Sequence, residues 1–350
     1  MNQTERNEPA TARELLTIEQ LRRAWLRSTP VEFGDPILAH TALDRAAMFF
    51  PLGFPVSVTT NSEAVLEAAR ESWGCFERRF DTEPVRLKVA VTEGDGLTCP
   101  PTPRCRMRDH IVTNMADGDN FAVSDLSRLC AVIWTTKAAV EHRDYFRYFF
   151  LESTAMACIS SGHATAIHAA CVALDDEAIL LCGDSGAGKT TLSYACACAG
   201  WTYVTDDGSY LVHGEAERLV AGNCHQARFR PSAEALFPHL RGREVLQRAG
   251  VGKPSIELPI CDGDAIRISA AAKVRYMVFL RRDAGKQELA PFPRAVARMY
   301  LWQRAHCMPY QANRHLQAID TLLGVETFEL RYSSLDWAIG RLAQLVREGR

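Results

Sequence analysis

A chain of 350 residues with 47% hydrophobic composition is long enough for two buried cores. Its net charge of −2 and pI near 6.6 supply no global attraction for nucleic acid or an anionic membrane. No apolar run approaches the roughly 18 residues that a spanning helix needs, so neither a signal peptide nor a membrane anchor is expected. The 12 scattered cysteines, with no C-x-x-C pair, fit a reduced cytoplasm.

In chain order, the first dozen residues are polar and expected to be disordered. Thr17 and Gln20 have capping-box spacing, which predicts a helix over 19–26. Pro51, Gly53 and Pro55 punctuate a loop before the strand 56–60. Asn61 or Ser62 then caps a helix to about Ser72, which Gly74 ends. Strands follow over 85–91, 106–113, 121–124 and 129–135. Residues 1–40 therefore read as a partly disordered N-terminus with a short helix, and 41–140 as a small α+β domain. A helix over 143–159 carries Tyr145, Phe146, Tyr148, Phe149 and Phe150 around most of its girth, which predicts burial between the two halves.

The segment 141–350 contains the chemistry. Strands over 165–173 and 177–182 meet at Asp175-Asp176. With a two-residue turn their paired positions sum to 351, which sets His168 opposite Gly183 and turns His163 to the other face. Directly after the apolar run Ile179-Leu180-Leu181-Cys182, the residues Gly183-Asp184-Ser185-Gly186-Ala187-Gly188-Lys189-Thr190-Thr191 complete the pattern G-x-x-x-x-G-K-[ST]. A polyphosphate needs inward-pointing N–H groups, which this glycine spacing permits. Lys189 then reaches the outer phosphates and Thr190 holds Mg²⁺. A helix over 188–199 aims its positive end at the anion, and the strand 201–205 returns the chain so that Asp206 and Asp207 arrive beside the loop. One carboxylate can serve the metal and the other can take a proton, and the sequence leaves open which does which.

Beyond the aspartates, strands over 209–213 and 218–221 form a hairpin around Gly214-Glu215. Arg228 and Arg230 share one side of an extended segment, where two guanidiniums can grip a phosphate or an acidic substrate. Lys253, in Val251-Gly252-Lys253-Pro254, is a candidate loop lysine. A buried strand is expected over 274–280, helices over 293–304, 311–323 and 335–346 (the last capped by Ser333 or Ser334), and a strand over 326–331. The ten histidines form neither H-E-x-x-H nor ligand-spaced clusters, so a metal site made of protein ligands alone is not expected.

The order His168, then GDSGAGKT at 183–190, then Val204-Thr205-Asp206-Asp207, resembles the catalytic domain of bacterial HPr kinase/phosphorylase and the wider HPr-kinase-like group, specifically over 168–207. The resemblance implies an α/β fold: a P-loop kinase domain of the HPr-kinase/PEP-carboxykinase-like type with a mixed sheet, preceded here by the smaller α+β domain. It further implies phosphorylation of a serine hydroxyl by ATP, with Mg²⁺ at Thr190 and Asp206 or Asp207, Asp207 as base, His168 as its neighbour, and self-association through catalytic domains. The family's Glu-Ile-Arg-Gly-type signature is missing. Ala227-Arg228-Phe229-Arg230-Pro231-Ser232-Ala233-Glu234 stands in that region, so neither phosphorolysis nor HPr itself is implied.

The expected partners are thus ATP and a protein, peptide or small-molecule hydroxyl acceptor, with no nucleic acid and no membrane. A non-catalytic or slowly hydrolysing ATP switch needs the same loop, but it does not need a proton acceptor. A GTPase is disfavoured because no N-K-x-D motif is present.

Overall fold

The structure is a computed structural model that describes residues 17–26, 41–94, 96, 98–214, 218–247, 253–260, 266–305 and 311–349. It divides into two compact units, Met1–Ala42 and Leu43–Arg350. In the first, the helix Ile18–Leu26 opens with the expected capping box: Thr17 N–H donates to Gln20 Oε1 at 2.7 Å, and Gln20 N–H donates to Thr17 Oγ1 at 3.3 Å. The expectation of disorder over the first dozen residues lies outside the described residues.

The second unit is mixed α/β, and its described residues form two large sheets and a two-stranded one, Gln226–Phe229 with Ile256–Pro259. The first sheet has seven strands in the order Arg45–Phe49, Val56–Thr60, Val85–Thr92, Cys130–Thr136, Phe121–Asp125, Ile111–Met115, Arg104–Arg108. Val85–Thr92 pairs in parallel with both of its neighbours, and the other pairs are antiparallel. Val85, Leu87 and Val89 are buried while Arg86 and Lys88 are exposed, the alternation of a sheet covered on one side. The covering side is the helix Glu63–Trp73 together with a helical stretch over 143–162.

The second sheet has nine strands. Its central trio, Glu177–Cys182, Ala271–Arg282 and Glu326–Tyr332, is parallel. Ala164–Leu174 pairs antiparallel with Glu177–Cys182 along one edge. Along the other it pairs with Gly208–Val212 and then Thr202–Thr205. Helices Lys189–Cys198 and Leu335–Glu348 cover one face through Leu192, Ala338, Leu342 and Leu345, and Arg294–Arg304 with Ala312–Leu322 cover the other through Leu301 and Ile319. Burial on both faces explains why Glu177–Cys182 reads as a continuous apolar run rather than an alternating one.

Several elements depart from the sequence expectations. The single strand over 106–113 is two strands, Arg104–Arg108 and Ile111–Met115, because the chain reverses at Asp109, whose φ of 51° is left-handed. Arg45–Phe49 and Glu288–Pro291 are additional strands. The aromatic helix is Arg143–Phe146, a π-type turn Arg147–Glu152, and Ser153–Gly162. Its Tyr145, Phe146 and Phe150 join the core of the first sheet, which reaches Ala164, Val212, Ala221 and Ala271 of the second. Neither expected cap of Glu63–Trp73 forms: Ser62 sits at the N-cap without a side-chain bond, while the Asn61 amide is bonded across to Val91. Ser334 does cap Leu335–Glu348, accepting from Trp337 N–H.

Candidate functional site

The hairpin that carries His168 closes through Asp175 and Asp176, both with positive φ (51° and 65°), as a two-residue turn compatible with strand twist requires. Its register runs from Leu174↔Glu177 to Ala169↔Cys182, so the next step sets His168 opposite Gly183. On its other edge His168 pairs with Gly208. The strand thereby brings the imidazole between the phosphate-loop pattern and the aspartate pair, and His168 Nδ1 lies 3.1 Å from Asp207 Oδ1. His163 precedes the strand instead; its ring stacks on Phe54 and its Nε2 lies 3.0 Å from Glu83 O.

Gly183–Thr190 leaves the strand Glu177–Cys182 and enters the helix Lys189–Cys198, whose N-cap is Gly188. Gly188 has a φ of 97°, and a Cβ there would collide with the Tyr332 hydroxyl and press on the Arg282 guanidinium. Asp184, Ser185 and Gly186 are exposed, and Thr190 and Thr191 are half-buried. Lys189 is 6% exposed, and its Nζ donates to Gly183 O at 2.8 Å. Burial lowers the pKa of this amine, and the nearby Asp207 carboxylate acts in the opposite direction.

The two aspartates occupy contrasting surroundings. Asp206 is 5% exposed, its Oδ2 accepts the Arg228 backbone N–H at 3.0 Å, and the Thr190 side chain bonds to it. Burial pushes its carboxyl up to about 6, beyond the opposing effect of those hydrogen bonds. The Asp207 side chain is 55% exposed. Thr190 and Asp206 present neighbouring hard oxygen donors, which suit Mg²⁺.

The side chains of the remaining sequence candidates have different surroundings. The Arg228 side chain is held by Glu257, at 3.2 Å from Nε to Oε1, and Arg230 is exposed past the strand Gln226–Phe229. Lys253 Nζ, in contrast, reaches Ser185 Oγ at 3.3 Å. Four residues that the sequence did not single out hold the loop. Tyr300 Oη accepts Gly183 N–H at 3.0 Å, Tyr332 Oη donates to Ala187 O at 3.0 Å, Arg304 pairs with Asp184 while lying over the Tyr300 ring, and Arg282 flanks Gly188. A separate cleft of about 430 Å³, lined by residues including His213, Arg218, Arg314 and Gln317, contains none of these groups.

No family model matches the chain, and no curated protein matches it. Among solved structures it is similar to the HPr(Ser) kinase/phosphatase from Coxiella burnetii, with 15% identity over 53% of this chain and 99% of that one, at a TM-score of 0.27. A likeness that slight carries neither fold nor activity. Among the described residues, no helix is long and apolar enough to cross a membrane.

The buried carboxyl has a consequence for stability. Because the folded state raises the Asp206 pKa from 3.8 to about 6, that state binds more protons than the unfolded chain between those values. Stability therefore falls as pH rises through this window, and above it the ionised, buried group costs on the order of 3 kcal/mol. Asp206→Asn is expected to unfold at higher denaturant concentration than the wild type at pH 7.5, with the gain disappearing near pH 4. A gain of equal size at both pH values would show that the carboxyl is not strained in the folded protein.

Proposed function

We propose that the chain is an ATP-dependent phosphotransferase that moves the γ-phosphoryl group to a hydroxyl, with serine in a protein or peptide as the acceptor. The observation that carries this reading is the 3.1 Å contact between His168 Nδ1 and Asp207 Oδ1, beside a glycine loop whose lysine feels the same carboxylate. A loop that only held nucleotide would gain nothing from an oriented, solvent-open proton acceptor next to it.

In this reading the phosphates lie along Gly183–Thr190 against the helix N-terminus, with the Lys189 ammonium on their outer oxygens. Thr190 and Asp206 would hold Mg²⁺, which would offset phosphoryl charge as it accumulates. Asp206 suits that task because a buried carboxyl pushed to about 6 gains stability from a cation. Asp207 takes the proton. Its Oδ1 is engaged by His168 when Nδ1 carries hydrogen, which leaves Oδ2 for the acceptor O–H and fixes the carboxylate's rotation. Lys253, at Ser185, adds positive charge at the exposed rim of the loop.

The reading is tested by incubating the protein and γ-labelled ATP with a cell lysate. Label should appear on a polypeptide and survive acid, as a serine ester does. Release of label only as free phosphate would point to a hydrolysing switch instead.

A further inference from the structure

The first sheet has a side that no described helix of Leu43–Arg350 covers. Its register places Arg104 beside Met115, then Phe121 and Trp134; Arg106 beside Thr113, Val123, Val132 and Lys88; and Arg108 beside Ile111, Asp125, Cys130 and Arg86. The buried residues Val112, Ala122, Ala131, Ile133, Leu87 and Val89 of these strands belong to the opposite, helix-covered side, whereas on the first side Ala90, beside Trp134, and Thr136 are buried. The uncovered side thus combines five cations with a half-buried apolar band and one carboxylate. That carboxylate is already engaged: Asp125 accepts from Ser127 and from the Arg128 backbone, and His110 lies 4.0 Å away.

These cations differ from most of the arginines elsewhere on the first sheet and its helices. Arg45, Arg70, Arg78, Arg143 and Arg147 each have a carboxylate within 4.0 Å. Among the described residues, Lys88, Arg104, Arg106 and Arg108 have none. Three of those four lie on Arg104–Arg108, the last strand of the sheet, all five of whose residues are exposed. Met107 and Met115 beside them are 51% and 53% exposed. An end strand leaves a row of outward N–H and C=O groups without sheet partners.

We propose that Arg104–Arg108 is a docking edge for an acidic polypeptide that adds as an eighth strand. Side chains on one side of a strand recur about every 6.8 Å. Acidic residues at every second position of an incoming strand would therefore meet Arg104, Arg106 and Arg108 in step, at cross-strand distances of about 5 Å. The ladder supplies affinity and the charge pattern supplies register. The open backbone selects a polypeptide over a nucleic acid, which cannot complete a ladder. This surface is independent of the phosphotransfer reading and would exist in a protein with no kinase activity.

The test is fluorescence anisotropy with a labelled seven-residue peptide of alternating threonine and glutamate. The wild-type protein should bind it, with affinity falling steeply with salt. The triple change Arg104→Glu, Arg106→Glu, Arg108→Glu should weaken binding at least about tenfold. The milder triple Arg→Gln variant serves if the reversal disturbs folding as judged by circular dichroism. The same peptide N-methylated at alternate amides, on the edge that faces the protein, should bind poorly. The proposal is overturned if the peptide does not bind, if neither triple variant changes its affinity, if the N-methylated peptide binds equally well, or if a single-stranded oligonucleotide of matching charge binds more tightly.

Discussion

Lys189→Ala is expected to lower phosphoryl transfer by at least about a hundredfold, because it removes the cation that, alone among the described lysines and arginines, is buried, at the proposed phosphate loop. The change has two separable effects. It deletes the charge that would meet the outer phosphates, and it leaves Gly183 O without its 2.8 Å donor. Lys189→Met keeps most of the volume and isolates the loss of charge. Both variants should bind ATP more weakly in calorimetry, and guanidinium unfolding should show that the fold persists. Undiminished transfer in the methionine variant would remove Lys189 from the site and with it the loop assignment.

Asp207→Asn should have an effect of similar size but of a different kind. Asparagine is nearly isosteric and can keep the His168 contact through its oxygen, yet it cannot accept the hydroxyl proton. ATP affinity should change little while turnover falls about a hundredfold or more. The pairing with His168 makes a second readout available: His168→Ala should release the carboxylate's rotation and cost less than Asp207→Asn. Transfer that is unimpaired in Asp207→Asn, or ATP binding that collapses together with turnover, would transfer the proton-accepting role elsewhere or assign Asp207 to the nucleotide.

What could be read in the sequence was local. The glycine-rich loop pattern, its flanking strand and helix, and the aspartate pair lie within 31 consecutive residues, 177–207. Turn length and two-residue periodicity suffice to align His168 with Gly183. What could not be read comes from distance. Tyr300 and Tyr332 reach the loop from 117 and 145 residues along the chain, and Arg304 from 120. Each lies on an ordinary helix or strand, and no local pattern says which loop it will touch. Arg228 shows the converse. The alternation that places it beside Arg230 is legible, whereas its pairing with Glu257 depends on the strand Ile256–Pro259 folding back against it. Arg45–Phe49 was missed because only Phe49 is buried, so the strand has no hydrophobic alternation to detect.

The turn at Asp175-Asp176 sits six ladder pairs from His168, about 20 Å away along the strand. Its length nevertheless decides which way that imidazole looks. Lengthening it by one residue without a compensating bulge would slide Ala164–Leu174 by one place against its partner and roll every side chain to the opposite surface. Ile167 would then stand where Asp207 waits, and the histidine would be driven in among Leu301 and Ile319. A remote hinge of two residues, chemically inert itself, is in this sense the most exacting dimension of the proposed catalytic arrangement.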